Sequence, residues 1–154
     1  MSENNKIISW IHYTMTSSMP VQLCDIFFRE EDVLLLYYSR HTLVTMAMKI
    51  PKRNARMMKI ILSTEGLESA RNMADREITL NYEDIEEVTL IGGSKKNKNG
   101  RNIPFLPRLR PRITIKAKGK LYTYGIHDKE FDYERTKNEL EKLAREKGFR
   151  VIVK

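Results

Sequence analysis

The chain has 154 residues, 41% hydrophobic and 31% charged, which suffices for one core and is too short for two large ones. Its longest uninterrupted apolar or aromatic run, Val33 to Tyr38, is six residues where a membrane helix needs about 20, and its start lacks an export-signal layout. A single cysteine, Cys24, excludes an internal disulfide and a thiolate zinc cluster and favours a reducing compartment, while the net charge of +8 invites an anionic partner.

Residues 1–5 form a polar tail, and no repeat or linker divides the remainder of the chain, so one domain spans 1–154. Ile7, Ile8, Trp10, Ile11 and Tyr13 fit a short strand or a helical turn and a half, and their period does not choose between them. Thr16, Ser17, Ser18 and Pro20 make a loop. Val21 to Phe28 and Val33 to Ser39 read as a hairpin about the polar turn Arg29-Glu30-Glu31-Asp32. Thr42 to Ile50 reads as a further strand ended by Pro51, which has no N–H for a ladder.

Lys52 to Glu77 reads as helix in two pieces, with Ala55, Met58, Ile61 and Leu62 at helical spacing and Ser63 or Thr64 as a second N-cap. Ile78 and Leu80 alternate into a strand, Tyr82 to Asp84 turn, and Ile85 to Ile91 form the next strand. That strand can bury both Ile85 and Val88 only through a bulge. Gly92 to Pro111 holds three glycines, three prolines, three asparagines and six basic residues and reads as a long, poorly ordered or projecting loop. Arg112 to Lys118 and Leu121 to Ile126 form a hairpin about Gly119-Lys120. Asp128 is the expected N-cap of a helix running to Lys147 that buries Phe131, Leu140 and Leu143 and stops at Gly148, with a short strand in Phe149 to Val153.

The positive charge is segregated. Val33 to Thr64 holds six basic residues (Arg40, Lys49, Lys52, Arg53, Arg56, Lys59) and no acidic one, and Val88 to His127 holds ten, again with no Asp or Glu. His12, His41 and His127 have no second ligand at metal-binding spacing and read as structural or surface residues. Cys24 in an apolar strand reads as a small hydrophobe. Asp84, Glu86 and Glu87 read as solvated charges that attract the basic loop. No group of residues meets the outline of a catalytic centre, so no enzyme activity, cofactor or metal is expected.

The order of elements resembles a pleckstrin-homology-like domain of the GRAM or prokaryotic type. The resemblance rests on an early hairpin, the segment Ile78-Thr79-Leu80-Asn81-Tyr82-Glu83-Asp84-Ile85-Glu86-Glu87-Val88, a later hairpin and one closing helix. It covers about residues 21 to 147. The resemblance implies a mainly β, α+β fold: a bent antiparallel barrel capped by a C-terminal helix, here with a helical insertion near residues 52–77 and an added strand after the closing helix. It also implies a binding module without a catalytic centre. Lipid-binding members hold a headgroup on basic residues between the first two strands, but the matching turn here, Arg29-Glu30-Glu31-Asp32, is net negative.

The anion contacts therefore fall to the long basic loop, with Lys95, Lys96, Lys98, Arg101, Arg108, Arg110 and Arg112 as the site residues. The expected partner is an acidic protein segment or anionic membrane headgroups, met by a cytoplasmic or membrane-peripheral adaptor. The alternative is a nucleic-acid-binding domain that uses the same loop with Tyr122 and Tyr124 as stacking platforms. Oligomeric state is left open by the sequence.

Overall fold

The computed structural model describes residues 5–93 and 110–154. Its first three strands are β1 (Ile7–Met15), β2 (Val21–Arg29) and β3 (Asp32–His41). Three helices follow, α1 (Leu43–Ala47), α2 (Ile50–Thr64) and α3 (Leu67–Met73), before β4 (Arg76–Asn81). A 3-10 turn at Tyr82–Asp84 leads to β5 (Ile85–Ile91); β6 (Arg112–Ala117), β7 (Lys120–Ile126), α4 (Tyr133–Lys147) and β8 (Arg150–Val153) complete the chain.

All nine residues of β2 are buried, and so are Val33 to Tyr38 of β3. A strand covered on one face only would alternate, so this pattern requires cover on both. One face meets α2 and α3: Leu23, Phe27, Leu34, Leu36 and Tyr38 pack with Ala55, Met58 and Ala70. The other meets α4: Ile11, Ile26, Phe28, Val33 and Leu35 share a core with Leu140, Leu143, Ala144 and Phe149. The sheet is the middle layer of three.

Its eight strands run in the order β4-β3-β2-β1-β7-β6-β5-β8. All neighbours are antiparallel except β5 and β8, which are parallel because α4 supplies the crossover. The sheet curls far enough for the hydroxyls of Tyr37 on β3 and Tyr124 on β7 to hydrogen-bond, but β4 and β8 are its two edges and do not pair. The fold is thus α+β with a mostly antiparallel sheet, a helical insertion and a C-terminal helix, and the expected closed barrel is not formed. The physical reason is β8, whose pairing satisfies the edge of β5 that a barrel would close with β4.

Several expectations hold at the level of elements. The bulge in β5 lies between Ile85 and Glu87 and lets Ile85 and Val88 both be buried, and Gly148 ends α4 at φ +86°; residues 7–15, left open between strand and helical turn, are strand. Three are corrected. Thr42 to Ile50 is not a strand: Thr42 and Thr45 cap one another to start α1, Lys49 turns the chain at φ +60°, and Pro51 sits in the first turn of α2, where its missing N–H has no partner to lose.

The second correction concerns the closing helix, which starts at Tyr133 with Asp132 as N-cap, because Asp128 instead spends its side chain on the N–H of Glu130 in a preceding turn. Phe131 is consequently only part-buried, although Leu140 and Leu143 are buried as expected. The third is the cap between the helices: Gly66, at φ +95°, precedes α3, while the Thr64 hydroxyl bonds back to the carbonyl of Ile60.

Candidate functional site

Asp25 is fully buried in β2, a carboxylate among apolar side chains. Such a group is tolerated only where donors replace its water. Four do: Trp10 Nε1 at 3.0 Å and His12 Nδ1 at 2.6 Å on one oxygen, Tyr13 N–H at 2.9 Å and Tyr38 hydroxyl at 2.7 Å on the other. The arrangement follows from a bulge. Between Ile11 and Thr14 the β1–β2 register slips and Tyr13 adopts φ +56°, so its N–H leaves the ladder and is recovered by Asp25. His12, 8% exposed, is thereby fixed through Nδ1, leaving Nε2 as its remaining ring nitrogen.

His12 stands in the wall of a cleft of about 680 Å³ between β1, the helical insertion and the segment after β7. Tyr13, Met15, Met46, Pro51 and Ala55 supply apolar lining; Lys49, Lys52, Arg56, Lys59, Arg110 and Lys129 supply cations, and Asp128 and Glu130 the acids. Lys59 is bound to Glu130 at 2.7 Å, which lowers the Glu130 carboxyl and raises the Lys59 ammonium, chiefly through that hydrogen bond. Lys49, Lys52, Arg56 and Arg110 make no ion pair among the described residues.

At the other rim, Arg110 Nη1 donates to His127 Nδ1 at 2.8 Å. Burial first and the Arg110 charge second hold the His127 imidazole down to about 4, so it is neutral near pH 7 and accepts through Nδ1. Burial raises the Tyr13 phenol against the opposing pull of Arg110, keeping it a hydrogen-bond donor. The cleft thus presents neutral donors and several cations to a small volume, a setting suited to an oxyanion-rich ligand.

Of the seven expected site residues, Lys95, Lys96, Lys98, Arg101 and Arg108 lie outside the described residues, as does most of the loop expected to project. Arg110 lines the cleft; Arg112 opens β6, is exposed and does not. The first basic stretch enters instead: Lys49, Lys52 and Arg56 are visible in the sequence as charge, but only the turn at Lys49 and the helix after it aim them at one cleft. The His12–Asp25 pair is not among the residues that the sequence pattern singles out. Its available signal is an aspartate inside Val21-Gln22-Leu23-Cys24-Asp25-Ile26-Phe27-Phe28, since a buried carboxylate demands partners.

Other expectations fall differently. Tyr124 is 2% exposed and bonded to Tyr37, so it offers no face for stacking; Tyr122, half-buried, carries the Lys120 ammonium 5.0 Å above its ring. Asp84, Glu86 and Glu87 pair with Lys118, the Gly119 N–H and Arg150, holding the β6–β7 turn and β8. Cys24 is fully buried, and that burial pushes its thiol well up, as for an inert core residue. Among the described residues, no group of His, Cys, Asp and Glu could hold a metal ion, and no helix is long and apolar enough to cross a membrane.

No family model and no curated protein matches the chain. Among solved structures, the hSac2 domain from human phosphoinositide phosphatase Sac2 is similar, with a TM-score of 0.52 at 9% identity over 100% of this chain and 80% of that one. At this identity the likeness is one of fold. It overturns the resemblance to pleckstrin-homology and GRAM domains: the similar structure is an hSac2 domain, and the sheet that the resemblance required to be a barrel is open.

Proposed function

We propose that this protein is a non-catalytic binding module that holds a phosphate-bearing anion in the cleft beside His12. The observation that carries the proposal is the set Lys49, Lys52, Arg56 and Arg110 around one cleft, without ion-pair partners among the described residues. Charge-assisted bonds from guanidinium and ammonium groups to oxyanions are about twice as strong as neutral ones, and Arg56 and Arg110 have the planar fork that matches phosphate. The Tyr13 hydroxyl adds a directional donor. Asp25 serves by keeping His12 in place, and among the described residues no Ser, Thr or Cys lines the cleft.

The similar hSac2 domain belongs to a phosphoinositide phosphatase; the phosphate reading here rests on the cleft itself. Titration calorimetry with pyrophosphate tests it. The wild type should bind with an affinity that falls as salt rises, and Lys52→Gln with Arg56→Gln should weaken binding by about tenfold or more. The single change Arg112→Gln, away from the cleft, should not. Absence of pyrophosphate binding, or equal losses in both variants, would refute the cleft.

A further inference from the structure

Large apolar side chains are exposed unevenly over this molecule. Nine are exposed among the described residues, and six of them lie in the stretch of α1, α2 and α3, from Leu43 to Met73: Leu43, Val44, Met48, Met57, Ile60 and Met73. The three strongest exposures fall within six residues of chain. Leu43 is 71% exposed, Val44 68% and Met48 66%, and α1 buries none of its residues. The short helix nevertheless has a defined start, the reciprocal Thr42–Thr45 cap, so it is a built protrusion with its apolar side to solvent.

The same segment is flanked in the chain by cations. Arg40 precedes α1, and Lys49, Lys52 and Arg53 follow it, all exposed. No acidic residue occurs between Val33 and Thr64. α2 repeats the combination on its outer face, where Arg53 and Arg56 stand four residues before Met57 and Ile60, and all four are exposed.

We infer that the α1 tip, Leu43, Val44 and Met48, inserts into the interface of an anionic lipid bilayer while Arg40, Lys49, Lys52 and Arg53 contact its headgroups. Charge complementarity selects this occupant. A second copy docked tip to tip would bring two like-charged collars together, whereas an anionic bilayer offers acyl chains to the apolar tip and negative headgroups to the collar in one surface. Lys49 and Lys52 also line the cleft, so docking sets its mouth at the headgroup level. The inference rests on the cleft reading for the headgroup the cleft would receive, and on the exposed tip alone for attachment.

Co-sedimentation with phosphatidylcholine vesicles, with and without phosphatidylserine, tests it on the full chain. The wild type should pellet with the mixed vesicles and not with the neutral ones. Leu43→Ser/Val44→Ser/Met48→Ser should lose at least about tenfold in vesicle affinity while keeping the wild-type melting temperature and pyrophosphate affinity, because none of the three is buried. Wild type that ignores phosphatidylserine vesicles, or a triple variant that binds them as well as wild type, would overturn the inference. So would light scattering that shows a dimer abolished by the triple variant. Vesicle binding that persists in a protein with no pyrophosphate affinity would leave membrane docking standing and remove only the cleft.

Discussion

Asp25 gathers four hydrogen bonds on one buried side chain. Removing it strips an acceptor from Trp10, His12, Tyr13 and Tyr38 at once, and unpaired buried donors cost more than a hydrogen bond contributes when made. Asp25→Ala should therefore destabilise the protein by about 3–5 kcal/mol in urea unfolding, and Asp25→Asn by less, since its carbonyl still accepts. His127 gives stability a pH dependence. Its folded pKa of about 4 lies below the ordinary 6.5, so the unfolded chain binds the proton more readily. Its contribution should be complete above pH 6.5 and lost as pH falls toward 4, by about 1 kcal/mol once partial exposure is allowed for. Arg110→Gln should raise the His127 pKa, read by NMR titration of the imidazole, because a repelling charge is removed. A bound phosphate should raise it also, so binding should take up protons below neutral pH.

At the scale of elements, two glycines separate backbone conformation from space. At Gly148 an added Cβ meets nothing within 4 Å, yet φ is +86°, so Gly148→Ala should cost about 1 kcal/mol through the left-handed backbone alone. At Gly92 an added Cβ would lie 2.9 Å from the ring of Tyr133, whose hydroxyl is tied to the carbonyl of Lys154. Gly92→Ala should cost about 1–3 kcal/mol by overpacking and should loosen β8, which thermal unfolding together with amide exchange at Val151 and Val153 would report. Most elements were legible in the sequence because alternation, caps and glycine stops are local. The segment 42–50 was not, since Thr42, Val44, Met46 and Met48 alternate like a strand while the cap that makes a helix depends on Thr42 and Thr45 bonding each other.

At the scale of the whole molecule, β2 and β3 belong to two cores at once, so the layers are energetically joined. Phe27→Ala on the α2 side and Leu143→Ala on the α4 side should each cost about 2–5 kcal/mol. Both should shift a single unfolding transition, seen as coincident circular dichroism and fluorescence curves; separate transitions would show that the layers unfold independently.

The sequence by itself determined an α+β fold with a mostly antiparallel sheet, its bulge in β5, its helical insertion and its C-terminal helix, because these follow from short-range patterns of burial and capping. It also showed that positive charge is concentrated in two stretches. The tertiary structure alone decided which of those charges meet: the turn at Lys49 and the curl of the sheet bring Lys49, Lys52 and Arg56 to face Arg110, more than fifty residues away. It likewise decided that the sheet stays open, since the pairing of β8 with β5 joins residues 63 apart in the chain, which no local pattern encodes. The partnership of His12 with Asp25 belongs to the same class, for a slip of register across two strands is a property of their pairing and not of either strand.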